Sequence, residues 1–557
     1  MKKIISALLI VMLIAVQLFP MLNVSAEETL VITTYGENED GIRSDLVTNT
    51  AILTASGFDS EDEFSAYKII DVFYSKETNE MIYDFTKEFR AFLNQSTNDD
   101  YKNMTIEDYF NLTSDQINVN CSNCVSVITT STLNVLASQY ATYVRKNSVA
   151  GINMTTGYNS LMISGNYFAT AEVEAGAYLI LPTVITQVED FNDASFGFSK
   201  NLYGVMVGNV VFTTNDTTLQ WQLNDVEVFA KYSSKGLATS LAGFGLSDYF
   251  GVMDGSIDME SVDINFYQDI SSSIDKKAAY VVEIDTIKFP SNAINKIYQI
   301  QITLPDGITF DNTKIYNMNG FFPTIISNNE ILDPDNGNLL GNISINGQVI
   351  NIEMNLENLE LADWGSITIS FDVWLNNYAT VGKDGNEIKA IMTATDDPYV
   401  EGSVSEIEIT NTIYTYGLEL TNLSRDDSTL LKGAKYEVYS KYEDSILSNK
   451  IGEFTVDDDG KATLAGVPSG TIYLKQVKAP TGYQLIKDVI SVEIATDDAT
   501  AGTQEGYYQV IVRNDAMWYL PSTGGIGTIL YTLIGLIVIG CSSFIIVYYR
   551  KRKVTNM

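Results

Sequence analysis

Residues 297–305 read IYQIQITLP, and that stretch decides the fold class. Tyr298, Ile300, Ile302 and Leu304 alternate with Gln299, Gln301 and Thr303, the period of two that places one row of side chains in a core and the other in water. The same period runs outward from it. SITISFDVWL (366–375) sets Ile367, Ile369, Phe371, Val373 and Leu375 on one face, and SVSEIEITNTI (403–413) does so with Ile407, Ile409 and Ile413. Turn signals (PDG, DPDNG, DDDG) separate such segments, so the chain reads as mainly β, built of tandem immunoglobulin-like antiparallel sandwiches. Helical period is confined to the N-terminal third. TSTLNVLASQYATYVRK (130–146) places Leu133, Leu136, Ala137, Tyr140 and Val144 on one face, and YDFTKEFRAFLN (83–94) adds a short turn or two.

The two ends frame an exported body. Residues 1–26 carry Lys2 and Lys3, an apolar run and a Val24-Ser25-Ala26 end, the layout of a cleaved signal peptide. Residues 526–549 form an apolar segment long enough to cross a bilayer, and residues 550–557 supply a basic tail that stays cytoplasmic. The formal charge of the whole chain is -36, and its terminal segments carry six of its basic residues, so the exported part is more acidic still. Such a surface repels nucleic acid and anionic lipid.

The sequence contains 0 His, which removes Ser-His-Asp, Cys-His and His-zinc chemistry, and no cofactor or metal is expected. An enzyme is not expected. Cys121 and Cys124, in NCSNCVS, form a small disulfide loop or remain two thiols. DISSS (269–273) matches the start of a magnesium-binding adhesion motif but lacks the surrounding helices, and DPDNGN (333–338) is a turn before it is a calcium loop. Both read as turns.

Leu520-Pro521-Ser522-Thr523-Gly524, followed by the apolar segment and the basic tail, resembles the LPXTG cell-wall sorting signal of Gram-positive surface proteins. The resemblance implies that a sortase cysteine attacks the Thr523 carbonyl, holds the upstream chain as a thioester and releases it to an amine. The partners implied are the sortase, peptidoglycan and other surface subunits, and the location is the cell wall.

Residues 414–517 resemble a collagen-adhesin B-type domain, through LLKGAKYEVYS, FTVDDDGKATLAGVPSGTIYL and KQVKAPTGY. In that family a lysine on the first strand bonds covalently to an Asn on the last, with a buried Glu as catalyst. Here the lysine position is Asn422 and the Glu position Gln476, while Asn514 is retained. Parity puts all three inside, beside Leu420, Leu474 and Val512, which predicts a non-covalent amide cluster and no cross-link. The alternative is that Lys432 or Lys435 acts instead.

The layout as a whole resembles the shaft pilins of sortase-assembled pili. Their linking lysine lies in W-x-x-x-V-x-V-Y-P-K, and Trp221 followed by QLNDVEVFAK makes Lys231 the candidate, with Lys235 in reserve. The expected parts are an N-terminal pilin domain (27–220), a middle domain (221–413), the B-type domain (414–517) and the sorting region (518–525). In the middle domain the resemblance suggests an internal cross-link from Lys276 or Lys277 to Asn411, with Asp372 as the acid, although parity sets Asp372 opposite Ile369 and Phe371. Two functions follow: a shaft subunit joined to copies of itself and to other pilins, or a wall-anchored adhesin or terminal pilin that binds a host surface or matrix ligand.

Overall fold

The computed structural model describes residues 46–47, 50–75, 80–97, 99–105, 130–162, 165–192, 195–210, 212–214, 221–230, 232–253, 255–258, 265–318, 324–359, 365–495, 505–517 and 526–554. Strands dominate them and form three units, each a pair of facing sheets.

In the first unit, Glu63–Ser75 and Gly176–Val184 lie at the centre of one sheet, and Thr50–Phe58 and Tyr167–Glu174 at the centre of the other. Leu53, Phe58, Phe64, Val173, Ile180 and Tyr203 fill the space between. The other face of the first sheet is also covered, by helices Lys87–Gln95 and Thr130–Asn147. Burial on two sides explains why residues 176–181 are buried without alternation. Leu136, Ala137, Tyr140 and Val144 of the long helix point inward, against Phe89 and Leu179. Thr86 caps the shorter helix by accepting a hydrogen bond from Phe89 N.

The middle unit follows the alternation of its sequence. Tyr298, Ile300 and Ile302 are buried while Gln299, Gln301 and Thr303 are exposed, and Ile367, Ile369, Phe371 and Val373 join the same core from the opposite sheet. Its opening strand, Tyr232–Ala242, lies in one sheet and its closing strand, Val404–Tyr414, in the other.

The first two units are interleaved. The hairpin made by Val188–Asn192 and Ser195–Tyr203 precedes the opening strand in sequence, yet it extends the middle unit's sheet by pairing with that strand. Conversely, Val226–Phe229 pairs in parallel with Leu53–Ser56 and so belongs to the first unit. The expected boundary at Trp221 is therefore corrected: the chain leaves the first unit for the last time between Phe229 and Tyr232. A loop of the middle unit reaches back across this seam. Tyr399 is buried in the core beneath the long helix, Thr142 Oγ1 donates to its carbonyl, and Arg145 Nε bonds Asp397 Oδ2 at 2.9 Å.

Only Thr415 separates the closing strand of the middle unit from Tyr416–Ser424, the first strand of the last unit. That strand runs parallel to the last one, Tyr507–Asn514, paired from Gly417↔Tyr507 to Ser424↔Asn514. The facing sheet is centred on Lys435–Glu443 and Gly470–Lys478. Asp459-Gly460 turns the chain from Ile446–Thr455 in this sheet to Lys461–Val467 in the other, and Gly460 has a φ of 70°, a left-handed conformation that favours glycine.

Candidate linkage sites

The last described element is a helix from Ile526 to Val554, and within its segment 529–552 an 18-residue window reaches a mean hydropathy of 2.4. The pentapeptide Leu520–Gly524, the signal segment, Cys121 and Cys124, and Lys231 all lie outside the described residues. The neighbours of Lys231 are described. Ala230 N donates to Ser56 O in the first unit, and Tyr232 pairs with Tyr203 in the sheet of the middle unit. Phe229 is 68% exposed on an outer strand of the first unit.

Lys235 is excluded as the reserve linking lysine because its side chain is 0% exposed. Its Nζ donates to Thr395 O and to Ser405 Oγ (3.1 Å), with Asp396 Oδ1 3.5 Å away. Burial lowers its pKa to about 8, against the opposing pull of Asp396. The unfolded chain holds this proton to about pH 10.4. Between about pH 8 and that value the unfolded state therefore binds more protons, and stability rises with pH. Relative to Lys235→Met, the parent is expected to gain roughly 3 kcal/mol across that window in denaturant melts. A constant difference between the two proteins would show that folding leaves the pKa of this amine unshifted.

The residues suggested for the middle-domain cross-link do not come together. Lys277 Nζ does meet Asp372 Oδ2 at 3.0 Å, and this hydrogen bond raises the lysine's pKa. Asp372 also accepts from Leu246 N, so it is buried beneath the Leu246–Met253 helix on the outer face of its sheet. Parity placed it correctly opposite Phe371, but its outward face is covered. Asn411 is elsewhere, in the core. Its Oδ1 accepts from Thr239 Oγ1 (2.6 Å) and its Nδ2 donates to Gln268 O (2.8 Å). The strand that faces Asn411 is thus Tyr232–Ala242, the sheet neighbour of the strand that SSIDKKAAY opens, and at this point it offers a hydroxyl where the cross-link needs an amine. Lys276 has no place in this arrangement.

The two motifs read as turns differ: DPDNGN is a turn, whereas Ile270–Ser271 of DISSS is a short strand paired with Ile413–Tyr414, which corrects that reading. Asp269 Oδ1 accepts from Thr412 N, and Ser271 Oγ accepts from Ser469 N in the last unit. Asp333 accepts from Asp335 N and Asn336 Nδ2 within its own turn.

In the last unit Asn422, Gln476 and Asn514 are all buried. Gln476 and Asn514 exchange two amide hydrogen bonds, Nε2 to Oδ1 at 3.2 Å and Nδ2 to Oε1 at 3.0 Å. Gln476 Nε2 also bonds the Tyr436 hydroxyl (2.7 Å), which in turn donates to Asn422 Oδ1 (3.3 Å). Gln476 Oε1 accepts from Ile486 N, and Asn514 Nδ2 donates to Gln484 O. The cluster is neutral, and burial raises the Tyr436 pKa far above its ordinary value. Lys432 and Lys435 are outside it, paired with Asp458 and Glu453. Tyr436 is the member that the sequence reading missed; its parity with Ala434 and Val438 in KGAKYEV would have placed it inside.

Comparison with known proteins fits this architecture. Residues 417–506 match the family described as Prealbumin-like fold domain, and residues 515–556 match the LPXTG cell wall anchor motif. The trypsin-resistant surface T6 protein of Streptococcus pyogenes serotype M6 is 24% identical over 280 residues, which cover 48% of this chain and 49% of that protein. The match thus spans about half the length of the curated relative. Among solved structures, the T6 backbone pilin of serotype M6 Streptococcus pyogenes, described as a modular three-domain structure, superimposes with a TM-score of 0.51 at 15% identity. That superposition covers 84% of this chain and 99% of the other, and it establishes a shared fold. The major pilin SpaD of Corynebacterium diphtheriae is also similar, with a TM-score of 0.47 at 13% identity, covering 84% of this chain and 97% of that one.

Proposed function

We propose that this chain is the shaft subunit of a covalent surface pilus, a substrate of a sortase rather than an enzyme. The observation that carries the reading is the cell-wall anchor at residues 515–556, set behind a three-unit β-stalk of the backbone-pilin fold. A cell-wall anchor of this kind makes Thr523 the electrophile, with the catalytic thiolate supplied by the sortase. The amine that resolves the thioester comes from another copy, and peptidoglycan receives the last one. Surface extracts boiled in SDS test the reading. A shaft subunit gives a high-mass ladder, whereas a single wall-linked band would leave a terminal, ligand-binding adhesin in its place.

Lys231 is the proposed acceptor. Its described neighbours support this: Ala230 bonds the first unit, Tyr232 pairs in the middle one, Phe229 is exposed, and the reserve at Lys235 is buried. Trypsin does not cut at an amidated lysine. The expected branched peptide therefore joins residues 514–523 to residues 201–235, because no Lys or Arg other than Lys231 occurs between Lys200 and Lys235. Lys231→Ala is expected to abolish the ladder while leaving wall-linked monomer. A ladder that persists, with the branch on another lysine, would move the site.

A further inference from the structure

We propose that the chain between its two linkage points yields to tension by unfolding, and that the parallel terminal strands of the last unit are its clamp. This inference rests on the pilin reading, because linkage at residues 231 and 523 sets the path of the load. Force then runs through residues 231–523, and the first unit lies off that path, except that its hairpin strand Ser195–Tyr203 is paired to the loaded strand Tyr232–Ala242. In the last unit force enters at Tyr416 and leaves beyond Asn514. The two strands that take it are hydrogen-bonded neighbours running in the same direction, in register over eight consecutive pairs. Pulling one by its start and the other by its end slides them past each other. All the ladder bonds then bear load together, rather than opening one at a time.

The clamp is strong in geometry but made of bonds that can re-form. At its far end Asn514 is held by Gln476 and Gln484, and Asn422 by Tyr436. No amine enters the cluster, so nothing there can close a covalent bridge between the first and last strands. Among the described residues the middle unit has no such pair, but it too is closed without a covalent bridge. Its opening and closing strands lie in facing sheets and are joined through Thr239 with Asn411 and Lys235 with Ser405, again by hydrogen bonds. Each such bond contributes about 1 kcal/mol net, and a clamp built of them parts under load and recovers when the load is removed. Unfolding the last unit releases about 100 residues at ~3.3–3.6 Å each, a gain on the order of 300 Å per subunit. A shaft of such subunits lengthens under shear flow and dissipates energy, instead of transmitting the whole force to the wall.

The test is single-molecule stretching of the exported chain, held by azide handles at residue 231 and after residue 523. A discrete, repeatable lengthening on the order of 300 Å for the last unit is expected. The pair Thr421→Cys and Ile511→Cys, on directly opposed residues of the two strands, adds a reducible staple. Oxidised, this variant is expected to lose that step, and reduced, to regain it. The reduced form also shows whether the variant folds. A parent chain that stretches only elastically, or an oxidised variant that still gives the full step, overturns the proposal. Because the handles fix the load path, these outcomes do not depend on which lysine is used in cells; the branched tryptic peptide decides that separately.

Discussion

Deletion of residues 520–524 is expected to remove every wall-linked form of the protein and leave the full-length chain in the membrane fraction. The apolar helix and the basic residues behind it are untouched by the deletion, so retention at the membrane persists. What is lost is the one carbonyl presented for attack. Without a thioester no amine can take over the chain, and the loss is complete rather than graded. In the parent, the C-terminal tryptic peptide begins at Asn514, ends at Thr523 and is branched; in the deletion variant, the peptide from Asn514 continues into the helix. Detergent extraction of intact chain is the simplest readout. A ladder that survives the deletion would separate assembly from this motif and remove the pilin reading with it.

How much of this was legible in the sequence depended on how many faces of each strand are covered. Where one face meets solvent, as in Tyr298–Thr303, the period of two gave both the strand and its core side. Residues 176–181 are apolar on both faces, because helices cover the outer one, and no alternation could reveal them. Asp372 shows the same limit: parity gives a face, while burial is decided by a helix more than a hundred residues away in sequence. Partnership between strands was the least visible feature. Asn411 was recognisable as an inward residue, but only the fold shows that Tyr232–Ala242 faces it. Lys235 was held in reserve as a linking lysine because a single charged residue carries no sign of the neighbouring sheet that buries it. The three amides of the last unit were readable because parity and family pattern agreed on each of them.

The largest change in the last unit is expected from restoring what those three amides replaced. Gln476→Glu alone puts a carboxyl into a neutral, buried cluster that contains no cation, and the unit should lose several kcal/mol at neutral pH. Adding Asn422→Lys supplies the cation. Asn422 pairs with Val512, two residues before Asn514 on the adjacent parallel strand, a diagonal that a lysine side chain can span. The Tyr436 hydroxyl now stands between positions 422 and 476, so Tyr436→Phe clears the way. In the triple variant the core desolvates the pair and favours neutral amine and protonated acid. The amine attacks Asn514 Cγ, the introduced carboxyl shuttles the proton, the bond from Cγ to Nδ2 breaks and ammonia leaves. Intact mass should fall by ~17 Da, and the first and last strands should stay joined in denaturant. The gain in thermal stability should exceed that of any single change, because the bridge closes a loop of about 90 residues in the unfolded state. Unchanged mass with recovered stability would mean that the pair has settled as a buried salt bridge. Unchanged mass with the instability of the single variant would show that Asn422 does not occupy the lysine position.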